Sequence, residues 1–122
     1  MTTDRLAHPL LVEVLHIQGC PNYPDVLRMI ERVQAELGIE AELHTRLIAD
    51  QPAAEAAQFA GSPTVRINGR DVEPDHAPPA TATLACRLYH VGHEVVGHPE
   101  EGWIRDALRH AAGQAGQDSS PR

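Results

Sequence analysis

With 122 residues the chain is long enough to form one self-supporting domain, and a domain of that size buries about two-thirds of the surface its unfolded form exposes, so folding requires neither a metal nor a disulfide. Against 17 acidic residues stand only 10 basic ones, all dispersed arginines, for a net charge of -7; nucleic acid is thereby excluded as an expected partner. The two cysteines, Cys20 and Cys86, are too few and too far apart for a disulfide framework or a zinc ribbon, and the short apolar run Leu10 to Ile17, broken by Glu13 and His16, is neither a membrane span nor a usual signal peptide, so a cytoplasmic protein without membrane contact is expected.

Residues 1–9 are polar and end at Pro9, and residues 113–122 are rich in Gly, Ser and Gln; both are expected to be flexible tails around a domain over 10–112. Leu10 to Ile17 reads as a mostly buried, central strand. After Gly19-Cys20-Pro21-Asn22-Tyr23-Pro24 the period changes: Val26, Ile30, Val33 and Leu37 recur at helical spacing, with Pro24 in the first turn and Gly38 closing the helix. Alternation from Ala41 to Ile48 predicts a second strand with one wetter face. Asp50, Pro52 and Glu55 open a short alanine-rich helix expected to run to about Ala60 and stop at Gly61.

Pro63 to Ile67, the pair Asn68-Gly69, and Arg70 to Val72 then read as a hairpin on a two-residue type I′ turn. The proline-rich stretch Glu73 to Pro79 must be loop. Thr83 to His90 is ambiguous, with a strand continuing through a turn at Gly92 to Val96 as one reading. Pro99, Glu100 and Glu101 begin a last helix whose Trp103, Ile104, Ala107, Leu108 and Ala111 form one core stripe.

This order, β-α-β-α-β-β-α, resembles the thioredoxin fold. Two motifs sharpen the likeness. Gly-Cys-Pro-Asn at 19–22 lies between first strand and first helix, where that superfamily carries its redox cysteine, and Gly-Ser-Pro-Thr at 61–64 lies before the hairpin, where it keeps a cis-proline facing that cysteine. Together with the later Cys-Arg-Leu-Tyr at 86–89, they make the chain similar to small bacterial thioredoxin-family proteins, some of which carry an alkylmercury lyase label. The resemblance implies an α/β thioredoxin-like fold with a central mixed sheet of about four strands flanked by helices. It also implies a cis bond before Pro63 and a functional Cys20.

A thiol reacts as thiolate, and a helix N-terminus favours that anion by about 0.3–1 kcal/mol, so Cys20 is expected to be moderately activated, and to be the more exposed and faster-reacting thiol. Position 23, where dithiol members of the superfamily have a second cysteine, is Tyr23 here, and a local disulfide cannot form. What remains is monothiol exchange with glutathione or a partner protein thiol, resolution by the distant Cys86, or no turnover. In this topology the loop after Val72 returns to the edge holding Cys20, so the two cysteines are expected to come within disulfide reach; flanked by Leu84, Ala85 and Leu88, Cys86 also reads as a small buried hydrophobe. Tyr23 and Tyr89 read as packing residues with a wet hydroxyl.

The expected site is therefore Cys20, Pro63, Cys86 and Tyr23, with no cofactor: no phosphate loop, Ser-His-Asp order or paired-carboxylate signature is visible. Cys86, His90, His93 and His98 offer metal-ligand chemistry, but their spacing matches no zinc module, and exposed hairpin histidines without a metal are expected. Organomercurial cleavage would need two cooperating thiolates and a carboxylate. Three readings stand: a thiol redox protein acting through Cys20, a non-catalytic binding module on the same fold, and thiolate capture of a soft metal such as mercury. The sequence does not specify an oligomeric state.

Overall fold

A computed structural model describes residues 10–118; the expected tail over residues 1–9, and residues 119–122 of the other, lie outside the described residues. Strand β1 (Leu11–His16) is the spine of a four-stranded mixed sheet of order β2-β1-β3-β4. It pairs in parallel with β2 (Glu42–Leu47) from Leu11↔Glu42 to His16↔Leu47, and antiparallel with β3 (Thr64–Ile67), Leu15 facing Thr64 and Val12 facing Ile67. Strand β4 (Arg70–Asp71) closes the far edge through the Asn68-Gly69 turn, where both residues take the positive φ that a type I′ turn requires.

Side chains alternate across β1, so each face of the sheet acquires its own core. Val12 and Val14 meet Val65 and Ile67 of β3 on one face. There they are covered by Val26, Ile30 and Val33 of helix α1 (Tyr23–Leu37) and by Ile104, Leu108 and Ala111 of helix α3 (Glu101–Asp118). Burial of a side chain such as Ile30 contributes about 1.5–3 kcal/mol, and this cluster holds most of the fully buried side chains. Leu15, on the opposite face, packs with Ile48, Phe59 and Ala54 and Ala57 of helix α2 (Gln51–Ala57).

Four expectations need correction. Helix α2 stops at Ala57, not near Ala60, because Gln58 turns left-handed at φ 51 and sends Phe59 into the second core, its N–H returning to the Ala54 carbonyl. Strand β2 has no wetter and drier face: all six residues are exposed, since the helices sit over β1 and β3 and β2 is the sheet edge. The ambiguous segment before α3 takes the reading that turns at Gly92, as a short separate hairpin, β5 (Tyr89–Val91) and β6 (Glu94–Val96), which adds two strands to the expected element order. Helix α3 continues to Asp118, so residues 113–118, expected in the tail, are helical. No helix among the described residues is long and apolar enough to cross a membrane.

Candidate functional site

The chain passes from β1 to α1 through a tight loop. The Cys20 N–H donates to the Ile17 carbonyl at 3.4 Å and the Cys20 carbonyl accepts from the Tyr23 N–H at 3.3 Å, so Cys20 is tied on one side to the end of β1 and on the other to the first turn of α1. Asn22, at the helix start, caps no N–H with its side chain. With the Tyr23 N–H taken by the Cys20 carbonyl, a proline at position 24 and the Val26 N–H bonded to Asn22, the first turn presents few free N–H groups to residue 20. Tyr23 lies on the first turn and stacks face to face on His16, the last residue of β1, with ring centroids 3.7 Å apart. His16 is thus a structural neighbour of this loop as well as a sequential one.

The second expected motif reaches the same edge. The Ser62 hydroxyl accepts a hydrogen bond from the Ile17 N–H at 3.0 Å, and the Ser62-Pro63 peptide bond is cis. The chain from 83 to 87 then runs alongside Phe59 to Ser62: Thr83 N–H donates to Phe59, Ser62 N–H to Ala85, and Arg87 N–H to Ser62. Residue 86 forms a parallel bridge with Ser62. Gly61 is required at this contact, because a Cβ there would fall 2.8 Å from the Cβ of Arg87, and its φ of +116° suits glycine alone. Ala85 and Arg87 on either side of Cys86, Ser62, Ile17 and Cys20 are therefore linked in one run of backbone and hydroxyl hydrogen bonds.

Accessibility is the reverse of the expectation. Cys20 is buried at 7% exposure, whereas Cys86 is exposed; both thiols are free. Cys20 sinks because its loop is drawn down by bonds to Ile17 and Tyr23. Cys86 is exposed beside Arg87 and Tyr89, which are drawn inward by partners of their own, Arg87 by Asp71, Glu73 and Thr64 and Tyr89 by the Pro63 carbonyl. Nor is Tyr89 wet: it is fully buried and its hydroxyl donates to the Pro63 carbonyl. Burial raises the pKa of that phenol above its ordinary value; Arg87 opposes the shift, while Asp71, Glu73 and Cys20 add to it.

Sequence reasoning passed over Arg87. Its side chain is 4% exposed and forks onto Asp71 of β4 at 2.7 and 3.0 Å, with Glu73 at 2.7 Å, the Thr64 hydroxyl at 3.1 Å and His76 at 3.3 Å. The guanidinium carbon lies 4.3 Å from the centre of the Tyr89 ring, a cation–π contact. Burial works against the charge, but the hydrogen bonds to Asp71 and Glu73 and the negative charge around it prevail and raise the pKa of Arg87. Alternation in the chain pointed the other way, since the apolar parity belongs to Leu84, Cys86 and Leu88, which are exposed, and Arg87 carries the opposite one.

Asp71, Glu73 and His76 bring ligand atoms within 4.8 Å of one another, the geometry of a cation site. Arg87 already supplies the positive charge there. Cys86, His90, His93 and His98 form no such group among the described residues. Comparison with protein-family models, curated proteins and solved structures found no match to this chain.

Proposed function

We propose that this is a thioredoxin-fold thiol redox protein that acts through Cys20, with Cys86 as its resolving partner and glutathione or a partner protein thiol as its co-substrate. The observation that carries the reading is the convergence of Cys20, Pro63 and Cys86 on one edge through the bonds Cys20 to Ile17, Ile17 to Ser62 and the bridge Ser62 to Cys86. The Cys20 thiolate attacks one sulfur of a disulfide, forming a mixed disulfide and releasing the other half as a thiolate. Attack by the Cys86 thiolate on Cys20 then releases the second half and leaves a Cys20–Cys86 disulfide, with two electrons transferred from protein to substrate. Exposure of only 7% suits Cys20 to a small disulfide such as that of glutathione.

Oxidised glutathione, intact-mass spectrometry and peptide mapping test this on the full chain. Expected are a transient Cys20 adduct resolving to an internal disulfide in the native protein, a stable adduct at Cys20 in Cys86→Ser, and loss of exchange in Cys20→Ser. Exchange by Cys20→Ser at the native rate overturns the assignment. The burial of Cys20 favours a second reading, a binding module on this fold without thiol turnover. It is adopted if neither cysteine exchanges.

A further inference from the structure

We propose that the outer edge of β2 is a self-association surface, on which a second copy of this chain adds its own β2 antiparallel to extend the sheet across a two-fold axis. Alternate residues of an edge strand direct their backbone groups outward. Here the Glu42 N–H donates to Leu10 and the Ile48 N–H to His16, both at 2.8 Å, so the even-numbered residues address β1. Leu43, Thr45 and Leu47 therefore turn N–H and C=O away from the sheet, towards an edge that no described strand occupies. These residues also place Leu43 and Leu47, at 38% and 49% exposure, on one face of that edge.

Cross-strand charges and the outward backbone groups favour a second copy as the occupant and narrow its register. A two-fold perpendicular to the sheet keeps each face continuous between copies, and outward backbone groups demand that odd residues meet odd residues in the hydrogen-bonded pairs. Centring the axis on His44 pairs Leu43 with Thr45 of the second copy, and Thr45 with Leu43. In the closer, non-hydrogen-bonded positions, about 4.5 Å apart at Cα, Glu42 then faces Arg46 of the second copy, and Arg46 faces Glu42. Each exposed leucine is covered from the neighbouring strand, Leu43 by Thr45 and Leu47 by Ala41. Shifting the axis to residue 45 loses both charge pairs, and shifting it to residue 43 exchanges them for Arg46 against Glu40, a residue outside β2, and Glu42 against His44. The net charge of -7 on each copy opposes approach, and at about 0.15 M salt, charges beyond about 8 Å are largely screened.

Sedimentation velocity of the full chain over a wide concentration range, at physiological salt, is the test. A reversible dimer is expected. Arg46→Glu weakens it about tenfold, because two cross-strand attractions become repulsions, Glu42→Arg does the same, and the double variant Glu42→Arg with Arg46→Glu restores it. Thr45→Pro removes an outward N–H and no bond to β1, so it abolishes dimerisation while the circular dichroism spectrum stays native. Amide exchange at Leu43, Thr45 and Leu47 slows as concentration rises. A monomer at every concentration overturns the proposal, as does a dimer indifferent to the charge reversals or unrestored by the double variant. Protection of those amides that is independent of concentration also overturns it, and shows that a segment of the same chain covers the edge.

Discussion

Removal of the Arg87 guanidinium strikes the most concentrated electrostatic feature of the molecule. In Arg87→Ala the Asp71 carboxylate, whose side chain is 8% exposed, loses both of its bonds to the fork, Glu73 loses its 2.7 Å partner, and the Tyr89 ring loses the cation above it. Removing one member of a buried pair costs about 3–5 kcal/mol, because the uncompensated charge stays behind. A domain has about 5–15 kcal/mol in total, so the variant is expected to fold but with a much reduced urea midpoint. Urea unfolding monitored by circular dichroism, at constant m-value, reads the loss directly. Arg87→Lys recovers only part of it, since an ammonium cannot reproduce the fork or the stack on Tyr89. Adding Asp71→Asn and Glu73→Gln to Arg87→Ala should regain stability, with a coupling of about 0.5–3 kcal/mol between the sites. A loss below about 1 kcal/mol for Arg87→Ala, or strict additivity of the triple variant, would refute the view that Arg87 is held by compensation within a dry cluster.

Burial holds the Tyr89 phenol neutral beyond its ordinary range; its folded pKa is raised, so its contribution is complete below the unfolded value of about 10 and is lost as pH climbs from there through the folded value. Unfolding free energy should fall with pH above about 10 in the native protein, more steeply than in Tyr89→Phe, and equal slopes would contradict this. In the same variant the Pro63 carbonyl loses its donor at a cost of about 1–3 kcal/mol at neutral pH, measurable by urea titration. A bulky maleimide at pH 7 should label Cys86 well before Cys20, following their exposure; peptide mapping that finds Cys20 labelled first would contradict the accessibility order. Asp50→Ala removes the acceptor of the Ala53 N–H at the start of α2, and a loss of about 0.5–2 kcal/mol is expected in thermal or urea unfolding.

The elements that needed only neighbouring residues were legible in the chain. The spacing of Val26, Ile30, Val33 and Leu37, the Asp50 cap, and the Asn68-Gly69 turn each express a local preference that folding leaves in place. So was the position of Cys20 at the start of α1. Tertiary structure decided what depends on partners far along the chain. Bonds from Arg87 to Asp71, Glu73 and Thr64 and from Tyr89 to Pro63 settle which residues of the segment face inward, and Cys86, between Ala85 and Arg87, is the exposed thiol. Asp71 and Arg87 are 16 residues apart, and Pro63 and Tyr89 are 26; no periodicity connects such pairs. A charged side chain reads as exposed until its counter-charges are placed, because its burial is tolerable only when desolvation is offset by partners that sequence does not bring together. The edge position of β2 is of the same kind: its alternation is visible in the chain, but only the order of strands leaves both of its faces and its outer backbone groups in solvent.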